Sequence, residues 1–254
     1  RSNNLWITLQ LADMVAKFNP KTEQFRLYGG LSKGSFVHSF AYDTKGYVSF
    51  DKDGYLWLSL FGLNKVAKLH PETGKVAEFD TPLKVDKPEY AGMYGIAMGP
   101  DGSIWYGKYG EDTFGKVNPD TGEVTQYEMP SKVATHRLGV DDSGNLWIPE
   151  SATGRLTRYD PQTKTFKTFE LPDKDTFPYA VRIDGTRGII WITGNGADSL
   201  YKFNLATEKI VKYPLPSKVA FTRMVAVDYS TGDVWTSYSN FPGPAVAVRL
   251  QFLE

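Results

Sequence analysis

The stretch that decides the fold runs from Thr135 to Pro172 and reads THRLGVDDSGNLWIPESATGRLTRYDPQTKTFKTFELP. It contains an apolar strand, a D-x-x-G turn, a strand with Trp147, a polar loop, a third strand, a second turn and a fourth strand. Glycine closes a tight hairpin turn because it accepts positive φ without steric cost. Alternating polar and apolar residues after such turns indicate half-exposed strands. The stretch therefore predicts four short antiparallel strands.

Further stretches follow the same plan, at Gly46–Pro82, Met93–Pro130 and Pro178–Pro216. The tryptophans stand at positions 6, 57, 105, 147, 191 and 235, at intervals of 42 to 51 residues. Four short strands repeated at this period are typical of a β-propeller, in which each sheet is one blade. The predicted fold is all-β: a propeller of four-stranded antiparallel blades with six repeats, either six-bladed or seven-bladed with part missing. We expect the tryptophans to pack between neighbouring blades rather than to line a ligand site.

The two ends and the first interval depart from the regular plan. The chain begins at the tryptophan strand of the first unit and stops after Ala245–Leu250, which matches a third strand. We predict a single propeller domain over residues 1–254, and the sequence leaves open whether it is a fragment of a longer chain. Ser35–Thr44, which contains His38, is extra: an additional strand, or a loop over one mouth of the channel. In another register this region is a strand pair of its own, with Ser49 in the place of tryptophan.

Composition excludes several classes of protein. Twenty-nine basic and 29 acidic residues give zero formal charge, which argues against a nucleic-acid binder held by phosphate contacts. The absence of cysteine excludes disulfides, thiolate metal sites and a cysteine nucleophile. No apolar run is long enough for a membrane span. Many Thr, Tyr and Trp together with no cysteine fit an exported protein, periplasmic or extracellular.

Counting from each tryptophan finds a candidate site. The third residue after each tryptophan should be the last of the second strand and lie at one end of the propeller. The first residue of the inner strand should lie at the same end. Positions that differ between repeats are the ones where structure does not demand a particular residue. The polar ones among them, expected around one channel mouth, are Tyr94, Lys108, His136, Glu150, Tyr179, Arg223 and Tyr238.

These residue types suggest acid–base chemistry on a bound small molecule. His136 is a candidate catalytic base, with Glu150 as a second catalytic residue that fixes its tautomer or holds a divalent cation. Lys108 and Arg223 are candidate ligands for a carboxylate or oxyanion, and the tyrosines could stack on a ring. The competing interpretation is that His136 and Glu150 form a structural pair at a solvated mouth.

The repeats resemble the virginiamycin B lyase (streptogramin lyase) family along essentially the whole chain. The resemblance is carried by the GPDGSIW and DDSGNLW hairpins, the DPQTKTF and NPDTGEV turns and the EMP, ELP and PLP endings. It implies a seven-bladed propeller and a carbon–oxygen lyase that cleaves a cyclic depsipeptide ester by elimination, with Mg²⁺ and a histidine base.

The family motif places a glutamate 14 positions after its histidine, as Glu150 follows His136 here. Three further family positions, acidic or histidine in the motif, hold Ala134, Ala152 and Tyr94. The resemblance thus implies a metal-assisted lyase for a cyclic ester or lactone-like small molecule, with Mg²⁺ at Glu150. The alternative is a non-catalytic propeller module that binds a ligand or other domains of a larger exported protein.

Overall fold

The computed structural model describes residues 4–239, 243 and 246–251. Its helical parts are short: α1 (Pro88–Ala91) and two 3₁₀ turns, Gln10–Ala12 and Phe61–Leu63. The rest of its regular structure consists of six antiparallel sheets in chain order, which we number blades 1 to 6. The predicted all-β propeller class with six repeats is therefore confirmed. No helix in the described ranges is long and apolar enough to cross a membrane.

The chain divides into two compact units, and the first holds blades 1 to 3. Blade 1 has three described strands, β1 (Leu5–Leu9), β2 (Met14–Asn19) and β3 (Gln24–Tyr28). Blade 2 has four, β4 (Val37–Phe40), β5 (Leu56–Leu60), β6 (Lys65–Leu69) and β7 (Val76–Asp80). Blade 3 also has four, β8 (Met93–Met98), β9 (Ile104–Lys108), β10 (Thr113–Val117) and β11 (Val124–Glu128).

The second unit holds blades 4 to 6 together with the segment Tyr42–Tyr47. Blade 4 consists of β12 (Gly139–Val140), β13 (Leu146–Glu150), β14 (Arg155–Asp160) and β15 (Thr165–Glu170). Blade 5 consists of β16 (Pro178–Asp184), β17 (Ile189–Gly194), β18 (Ser199–Asn204) and β19 (Ile210–Pro214). Blade 6 has three described strands, β20 (Val225–Val227), β21 (Val234–Ser237) and β22 (Ala247–Leu250). Ala245, where the last strand was predicted to begin, lies outside the described residues.

Three of the repeated tryptophans pack between neighbouring blades, as predicted. Trp57 of blade 2 is fully buried among residues of blade 3 such as Ile96. In the second unit, Trp147 of blade 4 is buried against blade 5, and Trp191 of blade 5 against blade 6. Each therefore stabilises a blade pair rather than a ligand. Trp235 differs, since a large part of its side chain is exposed.

The extra segment near residue 40 contains the inner strand of blade 2. From the repeat unit that starts at Gly46, we predicted this inner strand just after Gly46. The strand that pairs with β5 is instead β4, which precedes Gly46. Residues 41–49 form an added hairpin, closed by hydrogen bonds from Ser49 N to Ala41 O and from Asp43 N to Tyr47 O. β4 is therefore the regular inner strand of blade 2 rather than an additional one. The hairpin at 41–49 agrees with the strand-pair alternative and explains the long first interval.

The D-x-x-G turns are tied to the tryptophans by hydrogen bonds. In blade 2 the carboxylate of Asp51 accepts bonds from the amides of Asp53 and Tyr55, at 3.0 and 2.9 Å. Its other oxygen accepts a 2.8 Å bond from the indole Nε1 of Trp57. Asp141 and Trp147 repeat this bond in blade 4, also at 2.8 Å. One carboxylate thus fixes both the turn and the core side chain beside it.

Replacing Asp51 with alanine should lower the free energy of unfolding by about 1–3 kcal/mol, because it leaves the indole donor of a buried tryptophan without an acceptor. Asp53→Ala, in the same turn, is the matched control: its carboxylate is exposed and pairs with Lys52, so we expect a change within about 0.5 kcal/mol. Urea denaturation of the two variants measures both values. Equal losses of unfolding free energy in the two variants would show that the hydrogen bond from Trp57 to Asp51 adds no stability of its own.

Candidate functional site

Counting three residues from each tryptophan identifies the ends of the second strands. Lys108 and Glu150 are the last residues of β9 and β13, and Gly194 is the last residue of β17. Tyr238 directly follows β21. The positions of these residues were therefore predictable, whereas the direction of each side chain depends on its partners.

His136 and Tyr179 are brought together by main-chain contacts between blades 4 and 5. Arg137 N donates to Tyr179 O at 3.0 Å, and Val181 N donates to Arg137 O at 3.2 Å. This parallel pairing brings the rings of His136 and Tyr179 to 4.2 Å between centroids. His136 is 4% exposed. The histidine is thus held in a fixed position in the second unit.

Hydrogen bonding determines which ring nitrogen of His136 carries the proton. Its Nδ1 lies 2.5 Å from Ser151 Oγ, and that hydroxyl donates to Pro178 O, also at 2.5 Å. A hydroxyl has one proton, so Ser151 can only accept from His136. In the neutral ring Nδ1 therefore carries the proton, and Nε2 is the unprotonated nitrogen that can act as a base.

On blade 6, Arg223 stands beside Tyr179, and Tyr238 lies near Arg223 in the sheet register. The guanidinium of Arg223 lies 5.9 Å from the ring of Tyr179, and the side chain is exposed. Val225 of β20 pairs with Thr236 of β21. Arg223 precedes Val225 by two positions and Tyr238 follows Thr236 by two, so both stand at the same end of this strand pair. The Tyr238 hydroxyl is buried and has no hydrogen-bond partner within the described part of the chain. Blade 6 thus offers a cation and an unused hydroxyl.

Glu150 is engaged elsewhere. Its Oε2 accepts bonds from Thr153 Oγ1 at 2.7 Å and from Arg155 Nε at 2.8 Å, and its Oε1 accepts from Thr157 Oγ1 at 2.5 Å. The carboxylate is 1% exposed and forms an ion pair with Arg155. We predicted that Glu150 fixes the tautomer of His136, but Ser151 occupies Nδ1. Glu150 instead joins β13 to β14.

Lys108 is likewise engaged by neighbouring protein groups. Its side chain, in the first unit, is fully buried with Glu111 and donates to Glu111 Oε2 at 3.1 Å and to Pro82 O. Burial lowers the pKa of the ammonium, while Glu111 beside it acts to raise it. Carboxylate binding by Lys108 stays a prediction, and the buried partner that its charge already has argues against it.

Tyr94, also in the first unit, belongs to an aromatic group. Its ring lies 4.3 Å from His38, 5.5 Å from Phe61 and 6.0 Å from Tyr109. His38, on β4, contacts the hydroxyl of Ser39 through Nδ1 at 3.1 Å. Substrate binding by Tyr94 stays a prediction.

Mg²⁺, which the resemblance implies, needs several oxygen ligands in near-octahedral geometry. Both oxygens of Glu150 already accept hydrogen bonds, and Arg155 neutralises its charge. Across the described residues no group of three or more His, Cys, Asp or Glu side chains is placed to hold a metal ion. The donor set at Glu150 does not fit Mg²⁺, and we derive no step through a metal.

Two residues of the site were not predicted. Ser151 follows Glu150 directly, yet only its contacts with two blades show its role. Phe177 holds φ at +44°, which is strained for a bulky residue, and its ring lies 5.6 Å from that of His136. Phe221 has φ of +47°, and both phenylalanines stand 14 positions before a tryptophan. This shared distance of 14 residues to the next tryptophan was the sequence signal that could have identified Phe177.

Comparison with known proteins agrees with this architecture. The family model described as the virginiamycin B lyase family matches residues 90–240, more than half of the chain. A search of the curated proteins finds no match.

Several solved structures share the fold. A streptogramin B lyase structure aligns with a TM-score of 0.80 at 20% identity, covering 98% of this chain and 80% of that one. A catalytically inactive histidine variant of virginiamycin B lyase from Staphylococcus aureus, with quinupristin, aligns at 0.78 and 18% identity, covering 96% and 80%. A protein of unknown function from Bacteroides caccae aligns at 0.70 and 17% identity, covering 98% and 89%. At these identities the structures show the fold alone.

Proposed function

The chain belongs to the virginiamycin B lyase family, and from this premise we propose that it is a carbon–oxygen lyase that opens a cyclic ester by elimination at His136. The observation that supports the proposal is the pair of hydrogen bonds from His136 to Ser151 and on to Pro178, which keeps the proton on Nδ1 and leaves Nε2 as the unprotonated nitrogen. A positioned histidine with a defined tautomer is what proton abstraction from carbon requires.

The proposed elimination moves one proton and breaks one C–O bond. Nε2 of His136 takes a proton from the carbon next to a carbonyl group, and the ring becomes an imidazolium. The electrons of that C–H bond form a carbon–carbon double bond while the neighbouring C–O ester bond breaks. The ester oxygen leaves as part of a carboxylate, so a cyclic substrate opens without consuming water.

Blade 6 supplies groups suited to the charge that develops. Arg223 is exposed beside Tyr179 and forms no ion pair within the described residues, so it can bind the leaving carboxylate. The Tyr238 hydroxyl, buried without a partner in the described part of the chain, can donate to the carbonyl oxygen as it gains charge. Tyr179 holds the imidazole ring from one side.

Access to His136 involves Phe177. The imidazole ring is 4% exposed, and the exposed ring of Phe177 lies 5.6 Å from it. The left-handed φ of Phe177 costs about 1–3 kcal/mol. Movement of Phe177 would relieve that strain and admit the substrate, so we assign it the role of covering the base.

Quinupristin is the first compound to test, because a solved relative holds it. We expect the protein to convert it into a ring-opened product of unchanged mass, which liquid chromatography with mass spectrometry separates from the substrate. A product heavier by one water would identify a hydrolase instead. Unchanged quinupristin after prolonged incubation with enough protein for many turnovers would contradict the proposal.

A further inference from the structure

A cavity in the same unit has no role in the proposed elimination. Its volume is about 370 Å³, within the range of small-molecule sites. It is lined by β20 and β21 and by the side chains of Tyr42, Tyr47, Arg182, Tyr229 and Trp235. His136, Glu150, Tyr179, Arg223 and Tyr238 do not line it. The lining runs along β20 from Met224, next to Arg223, to Tyr229 beyond the other end of the strand.

Arg182 brings a buried positive charge into this cavity. Its side chain is 8% exposed, and its guanidinium lies 3.9 Å from the centroid of the Tyr42 ring. Nε donates to Val225 O at 3.2 Å and Nη1 to Gly46 O at 3.4 Å. Within the described ranges no group accepts a bond from Nη2, and no carboxylate forms an ion pair with Arg182. A buried cation without a counter-charge is unfavourable.

The groups around Arg182 do not supply that counter-charge. Asp184 forms an ion pair with Arg187 at 3.0 Å, and Oδ1 of Asp43 accepts the amides of Lys45 and Tyr47. Burial raises the pKa of Tyr229, against the effect of Arg182, so its phenol is neutral and donates to Ile183 O at 3.2 Å. The cavity therefore has a cation, neutral aromatic rings, small apolar side chains and the hydroxyl groups of Thr236 and Ser237.

We propose that this cavity is a binding site for a small carboxylate with an aromatic body, held by Arg182. A carboxylate presents two oxygens in one plane, which match the free N–H groups at the end of the guanidinium. A phosphate would leave further oxygens against the apolar side chains of β20, where burial without hydrogen bonds is costly. Tyr47 and Tyr229, with ring centroids 5.2 Å apart, and Trp235 provide faces for an aromatic ring.

Gly46 fixes the wall of this cavity. Its φ is +72°, and a β-carbon there would lie 1.9 Å from the Tyr229 hydroxyl and 2.7 Å from Cδ of Arg182. Any side chain would therefore displace Tyr42–Tyr47 from Arg182. Gly74 has the same φ of +72° with nothing within 4 Å of its β-carbon position. The two glycines form a matched pair for substitution.

Calorimetric titration with phenylacetate and with the neutral phenylacetamide tests the site on the unaltered chain. We expect the acid to bind with a dissociation constant below roughly 1 mM. We expect the amide to bind about 10- to 100-fold more weakly, because it lacks the charge-assisted bond to Arg182. Equal affinities, or no detectable binding of the acid, would overturn the proposal.

Variants then locate the binding. Arg182→Gln should abolish the preference for the acid, and Arg158→Gln, on β14 outside the cavity, should leave it unchanged. Gly46→Ala should weaken binding at least tenfold, whereas Gly74→Ala should not. If Arg182→Gln does not fold, Gly46→Ala and the comparison of phenylacetate with phenylacetamide still test whether the acid binds in this cavity. Unchanged acid binding in a folded Arg182→Gln or Gly46→Ala protein would refute this site, whatever the outcome with quinupristin.

Discussion

His136→Ala should lower the turnover of quinupristin by about 10²- to 10⁴-fold, the usual contribution of a positioned general base. The loss should appear in kcat rather than in KM, because the imidazole acts on the reacting proton and not on the rest of the substrate. The measurement is the rate of the ring-opened product in the variant and the unaltered protein. A variant that keeps full turnover would remove His136 from the mechanism.

Two further variants separate catalysis from folding. Ser151→Ala removes the acceptor that holds the proton on Nδ1, so the ring would sample both tautomers. We expect a smaller loss of turnover for it, roughly 10- to 100-fold, as for other residues that orient a functional histidine. His70→Ala is the matched control: His70 lies in a turn where its Nδ1 accepts the amide of Glu72, and turnover should be unchanged. Near-ultraviolet circular dichroism confirms that each variant is folded.

The propeller could be predicted because the repeat is local. In blades 2 and 4 the tryptophan, its D-x-x-G turn and the strands around them lie within one stretch of about 40 residues. Asp51 shows why the signal is strong, since one side chain fixes both the turn and Trp57. We misplaced the inner strand of blade 2 because two D-x-x-G turns, Asp43–Gly46 and Asp51–Gly54, follow each other closely. The repeat pattern alone does not show which strand before them is the inner one.

The candidate site was predictable in position but not in the direction of its side chains. His136, Tyr179 and Arg223 meet because blades 4, 5 and 6 bring their inner strands together. Lys108 was predicted to face a ligand, yet an opposite charge three positions later, Glu111, gives it a buried partner. Such pairs are decided by burial, which makes an unpaired charge costly and therefore selects the nearest counter-charge. The cavity at Arg182 could not be predicted, because its wall comes from a segment distant in the chain.

Glu150→Gln should lower the free energy of unfolding by about 2–4 kcal/mol, near the loss caused by breaking a buried ion pair. The neutral amide cannot accept the bonds of Arg155, Thr153 and Thr157 together, and its own N–H groups would face these donors. The expected loss of unfolding free energy is at the lower end of the range for buried ion pairs. Arg155 is 28% exposed, so water can partly solvate its charge. Urea denaturation measures the loss, and a thermal scan should show a midpoint lower by roughly 5–15 °C.

Glu170→Gln is the matched control for this variant. Glu170 stands directly opposite Arg155 on β15, but its side chain is exposed, so the change in unfolding free energy should stay within about 0.5 kcal/mol. The catalytic readout separates the two roles assigned to Glu150. If the carboxylate acts only by holding β13 to β14, turnover per folded molecule should stay within about tenfold, well above the loss for His136→Ala. A folded Glu150→Gln protein with unchanged stability and a turnover as low as that of His136→Ala would restore Glu150 to the catalytic role that the sequence predicted.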